Sequence, residues 1–92
     1  MELPHNVTLQ LAPSVMAELQ YLIKLQARSG APNPFTTVEE LLSYVAGAVA
    51  DGSRRPGAWE RQLLDMMGLT PEAPESQVYR SHYGEPTEEA NE

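Results

Sequence analysis

Asn6-Val7-Thr8-Leu9-Gln10-Leu11, followed directly by a helical pattern from Pro13 to about Arg28, is the stretch that decides how the chain reads. Val7, Leu9 and Leu11 alternate with Asn6, Thr8 and Gln10, the period of two that gives a strand one buried and one wet face. No second strand pattern follows it. A lone strand leaves its N–H and C=O groups without partners, which is costly wherever they are buried. A second copy of the chain is the simplest remedy. Two such strands, antiparallel about a two-fold axis, would bury Val7, Leu9 and Leu11 and turn Asn6, Thr8 and Gln10 outward. The expected fold is therefore mostly helical, with one N-terminal strand paired between chains.

Outward from the strand, residues 1–5 read as a short arm. Pro13 suits the first helical turn, where its missing N–H costs nothing. Val15, Leu19, Leu22, Ile23 and Gln26 trace one helix face, and Gly30 is the expected stop. Ala31-Pro32-Asn33-Pro34-Phe35 is a stiff link with Phe35 as its anchor. Thr36 and Thr37 each have a glutamate three residues on, Glu39 and Glu40, so a capping box exists in two overlapping registers. The helix it opens carries Val38, Leu41, Leu42, Val45, Ala48 and Val49 on one stripe. The small residues Ala46, Gly47 and Ala48 would admit a neighbouring helix closely, and Gly52 would end the element. A third helix is expected from Ala58 to about Met67, with Trp59, Leu63, Met66 and Met67 as its apolar positions and Leu64 beside them. From Thr70 onward the composition is Pro, Glu, Ser and Thr, too polar to offset chain entropy. Three regions result: a dimerisation core over 1–52, a linker with the third helix over 53–69, and a flexible acidic tail over 70–92.

Composition narrows the function classes. The 92 residues carry a net charge of −7, unevenly placed. Residues 1–55 hold Lys24, Arg28, Arg54 and Arg55 against Glu2, Glu18, Glu39, Glu40 and Asp51, a net −1. Residues 56–92 hold Arg61 and Arg80 against eight acidic residues, a net −6. Nucleic-acid affinity comes mostly from neutralising phosphates with Lys and Arg, so composition alone does not announce DNA binding. There is no cysteine, which removes disulfides and thiolate metal sites. His5 and His82 fall in no metal-ligand spacing. There is no Gly-rich phosphate loop and no Ser, His and carboxylate constellation. No enzyme activity, metal or cofactor is expected. No apolar run reaches the roughly 18 residues of a membrane span, and the N-terminus lacks the regions of a signal peptide, so a cytoplasmic protein is expected.

The alternation Val7-Thr8-Leu9-Gln10-Leu11, the helix begun at Pro13, Gly30 between helices and a second helix capped at Thr36 or Thr37 resemble the ribbon-helix-helix superfamily of DNA-binding proteins, the Arc and Met repressor type. The resemblance covers about residues 6–52. It implies a homodimer whose paired strands enter the major groove, with Asn6, Thr8 and Gln10 reading bases. It also implies a phosphate held at Thr36, Thr37 and their amides. A ribbon fits that groove, Asn and Gln can pair with adenine, and a Thr methyl can touch thymine. Helix-start amides form an anion site. Arg54 and Arg55 would add phosphate contacts. The dimer core would comprise Val7, Leu9, Leu11, Leu19, Leu22, Leu41, Leu42 and Val45. The sequence departs from the family in having no Arg or Lys on the strand, and in placing Glu39 and Glu40 beside the phosphate position.

The function so implied is a sequence-specific transcriptional repressor acting on double-stranded DNA. One alternative is an antitoxin whose acidic C-terminal part neutralises a basic toxin. Another is a protein-interaction module of this fold that does not bind DNA. Trp59, Leu63, Tyr79 and Tyr83 are the candidate partner contacts. Plainer readings stand beside each of these. Thr8 and Gln10 are the wet face of any half-buried strand, Thr36 and Thr37 are helix caps first, and Arg54 and Arg55 form a solvated pair in a turn. Trp59, Leu63 and Met66 pack a core or a dimer interface, and an acidic tail is usually a solubilising one.

Overall fold

A computed structural model describes residues 3–85. Its helices are α1 (Pro13–Ser29), α2 (Val38–Arg54) and α3 (Trp59–Met66), followed by a single 3-10 turn, Pro74–Gln77. The chain divides into two compact units, Met1–Leu41 and Leu42–Glu92. None of the described helices is long and apolar enough to cross a membrane.

The expected ribbon-helix-helix fold, with an N-terminal strand paired between chains, is overturned. Among the described residues there is no strand, and residues 3–12 run as exposed, irregular chain into α1. The physical reason lies in the sequence itself. The alternation satisfies the side-chain requirement of a strand, but the chain supplies no second strand, so the backbone has no ladder to join and its polar groups stay with water. Val7 is 74% exposed and Leu9 58%. Neither they nor Leu11 form the buried face of a ribbon, and Asn6, Thr8 and Gln10 do not share a strand face opposite them.

In the first unit, α1 starts with Pro13 in its first turn and ends at Gly30, which has φ +78° and donates its N–H to the Gln26 carbonyl. Only glycine enters that region without a steric penalty. The link then turns back on the helix, where the Phe35 N–H donates to Gln26 Oε1 at 2.9 Å. Of the two capping registers, the Thr37–Glu40 one forms. The Glu40 N–H donates to Thr37 Oγ1 at 3.1 Å, while Glu40 Oε1 accepts from the Thr36 and Thr37 amides at 3.0 and 3.2 Å. Val38 and Leu41 are the buried apolar residues here. Met16, Leu19, Ile23, Leu25 and Phe35 are half-buried, and no residue of α1 is fully buried.

In the second unit α2 passes through Gly52 and ends at Arg54. Gly52 is not a stop. It is a buried contact point. A Cβ built there would lie 2.9 Å from the Glu60 carbonyl carbon and 3.0 Å from Leu64 Cδ1, so α3 rests against this glycine. The close approach expected at Ala46–Ala48 is absent at its glycine, since a Cβ on Gly47 meets nothing within 4 Å. In α3 the apolar positions divide between two faces. Arg61 and Leu64 are buried, while Trp59, Leu63, Met66 and Met67 are exposed.

The two glycines of α2 should therefore respond oppositely to the same change. Gly52→Ala forces backbone or Leu64 to move and should cost about 1–3 kcal/mol. Gly47→Ala, in an open helix interior, should stabilise by up to about 1 kcal/mol. Urea denaturation of both variants checks the pair, and a neutral Gly52→Ala would contradict the packing.

Candidate functional site

The last four carbonyls of a helix have no partner within it. In α2 these belong to Asp51, Gly52, Ser53 and Arg54, and each finds a donor. The Arg55 N–H donates to Asp51 O at 2.9 Å. Arg61 reaches back from α3, giving Nε–H to Gly52 O at 2.7 Å and Nη2–H to Ser53 O at 2.9 Å. Arg80 gives Nη2–H to the same Ser53 carbonyl at 3.2 Å, and its backbone N–H goes to Arg54 O at 2.9 Å. Two guanidinium groups thus sit on the negative end of the helix dipole, the end that favours cations.

A second layer holds the returning chain. Arg54 donates from Nη1 to Arg80 O at 3.0 Å, so Arg54 and Arg80 bind each other's backbone. The Arg54 guanidinium also pairs with Asp51 Oδ1 at 3.1 Å and lies 4.6 Å from the centroid of the Tyr83 ring. That ring face attracts a cation through its quadrupole. The Tyr83 hydroxyl completes the set by donating to Asp51 Oδ1 at 2.8 Å. The Asp51 carboxyl is held below its ordinary value, first by the Tyr83 hydroxyl and then, against partial desolvation, by Arg54. Glu40 is lowered as well, chiefly by the Thr36 hydroxyl and then by the Thr36 amide.

The returning segment encloses a groove of about 750 Å³ in this unit. Val49, Leu64, Leu69, Pro71 and Ala73 give it apolar walls, and Arg61, Arg80, Ser53, Glu75 and Glu85 contribute polar groups. On the other side of α3, Trp59, Leu63, Met66 and Met67 form an exposed apolar stripe.

The residues singled out from sequence do not converge. Asn6, Thr8 and Gln10 lie on the exposed segment before α1. Thr36 and Thr37 have their amides occupied by the Glu40 carboxylate. Arg54 is engaged by Asp51, Tyr83 and Arg80, and Arg55 is exposed. Trp59, Leu63, Tyr79 and Tyr83 are all exposed, and Tyr83 also joins the cluster on α2. Of the expected dimer core, Leu41 is buried, Leu19 and Leu42 are half-buried, and Leu22 and Val45 are exposed. Sequence reasoning missed Arg61, Arg80 and Asp51. Their only advance signal is that arginines follow a helix end rich in small residues.

Comparison with known proteins adds no relative: no family model, no curated protein and no solved structure matches the chain.

The carboxyl at the centre of the cluster makes a pH prediction. A group whose folded pKa lies below its unfolded value stabilises fully above the unfolded value, 3.8 for this aspartate, and loses that contribution as pH falls through the lower folded value. Asp51 should accordingly titrate below 3.8 in a carboxyl carbon NMR titration. Tyr83→Phe removes the main cause and should move the midpoint upward. A midpoint unchanged by that substitution would show that the hydroxyl does not hold Asp51.

Proposed function

We propose that the chain is a non-enzymatic interaction module that associates with a second copy of itself through α1 and the segment before it. The observation that carries this is the state of the first unit's apolar residues. α1 buries no residue fully, and Leu3, Val7, Leu9, Leu11, Val15, Tyr21 and Leu22 are all exposed. Scattered exposed apolar residues are ordinary, but seven of them within residues 3–22 mark an interaction surface. Small chains often complete their cores by association.

The charges on α1 favour a second copy as the occupant. Glu18 and Lys24 are the acidic and basic residues flanking Tyr21 at equal distance along the helix. An antiparallel α1 pair centred on Tyr21 brings Glu18 of each chain level along the axis with Lys24 of the other, so that no like charges meet at that height. This pairing is helical and uses no strand ribbon.

DNA binding has weaker support. The residues assigned to base reading share no strand, the Thr36 and Thr37 amides already hold a carboxylate, and Arg54 and Arg80 are spent on the chain's own groups. No observation specifically favours toxin neutralisation.

Sedimentation equilibrium tests the reading. The wild-type chain should show a concentration-dependent monomer–dimer equilibrium. Leu22→Glu, at a position already 40% exposed, should weaken dimerisation by at least about tenfold, equivalent to about 1.4 kcal/mol, with helicity retained. A wild-type chain that stays monomeric at about 100 μM, a concentration at which even weak pairs with Kd in the micromolar range are populated, would reject it.

A further inference from the structure

We propose that the groove of the second unit is a binding site for a carboxylate carried on a short apolar chain, with Arg61 as the residue that receives the carboxylate. Arg61 is only 5% exposed, and it lines the groove. Burying a guanidinium is expensive unless its charge and its donors are met. Nε and Nη2 are met by the carbonyls of Gly52 and Ser53. Those neutral oxygens cap α2 but carry no full negative charge. Among the described residues no carboxylate pairs with Arg61, the ion pair of this unit being Arg54–Asp51. Its remaining terminal nitrogen, Nη1, makes no hydrogen bond to them, and it is not among the atoms sealed from solvent without a partner. The opening that reaches a side chain this deeply buried is the groove it lines.

The walls determine the rest of the ligand. Val49, Leu64, Leu69, Pro71 and Ala73 are apolar and line the groove together with the arginine. A volume of about 750 Å³ lies within the range of small-ligand sites, which combine apolar walls with a few placed polar groups. A bare inorganic anion would leave those walls wet, and a neutral hydrocarbon would leave the guanidinium donor unused. A carboxylate with a short apolar chain satisfies both, and a charge-assisted bond to Arg61 is stronger than a neutral one. Glu75 and Glu85 also line the groove and oppose an anion. Both are exposed, so water and salt screen them, whereas Arg61 acts from a desolvated position.

A free carboxylic acid and the C-terminal residue of an apolar peptide share this chemistry, and NMR titrations of the full chain separate them. The probes are octanoate, octanol, inorganic phosphate, and N-acetyl-leucine with its amide. Octanoate should shift the Val49, Leu64 and Leu69 methyls together with the Arg61 side-chain nitrogens. It should bind at least about tenfold more tightly than octanol or phosphate, the expected gain from a charge-assisted bond. N-acetyl-leucine binding more tightly than octanoate would assign the peptide source, and the reverse order the free acid; its amide should be the weaker partner in either case. Arg61→Ala also uncaps α2, so Leu69→Asp serves as the second variant, because Leu69 is 57% exposed and the fold does not depend on it. That change should weaken octanoate binding by at least about tenfold through like-charge repulsion. Equal binding of octanol and octanoate, no groove shifts at about 10 mM octanoate, or an unaffected Leu69→Asp would overturn the proposal. The groove belongs to the unit Leu42–Glu92 and α1 to Met1–Leu41, so loss of self-association leaves this result independent.

Discussion

The C-terminus of α2 is the constraint on which the second unit depends. Four carbonyls emerge there with no helical partner, and the chain places donors on every one. The backbone of Arg55 takes the first. Arg61 takes two from α3, which fixes how α3 lies and requires that residue 52 have no side chain. Arg80 takes the last from the returning segment and shares a third with Arg61. Helix dipole, hydrogen bonding and close packing act at one place. Among the described residues of this unit Leu64, 6% exposed, is the one buried apolar side chain, and arginine supplies the adjoining contact.

The first unit shows the opposite balance. Its backbone ends are well satisfied, by Gly30 at the close of α1 and by Thr37 with Glu40 at the start of α2. Its apolar residues are not, since those of the initial segment and the outer side of α1 remain in water. Hydrogen bonding thus determines the course of the chain there without completing a core. The proposed self-association rests on that imbalance, and its driving force would be apolar burial on α1.

The helices were legible from sequence because their signals are local. Pro13, Gly30 and the threonine–glutamate spacing act within a turn, and each operates where periodicity placed it. Three features escaped for physical reasons. The alternation of Val7, Leu9 and Leu11 reports what a strand's side chains would need, but strand formation depends on a partner backbone that no local pattern reveals. Gly52 read as a stop because glycine favours helix ends, yet its use is a tertiary contact with Glu60 and Leu64. Arg61 gave no local signal of burial, since charged residues usually face water, and its burial depends on carbonyls nine and eight residues earlier in the chain. The exposed stripe of Trp59, Leu63, Met66 and Met67 follows from the same contact: once Arg61 and Leu64 face α2, those residues face away. Tyr83, singled out as a contact to a partner, meets Asp51 of its own chain.

The capping of α2 by Arg61 can be measured directly through the exchange of the Arg61 Nε proton with water. That proton is donated to Gly52 O at 2.7 Å on a buried side chain, so it should exchange slowly and give a resolved nitrogen–proton correlation at neutral pH. It should also respond to urea together with the α2 amides. Exchange as fast as that of a solvated arginine, with α2 still folded, would contradict the account.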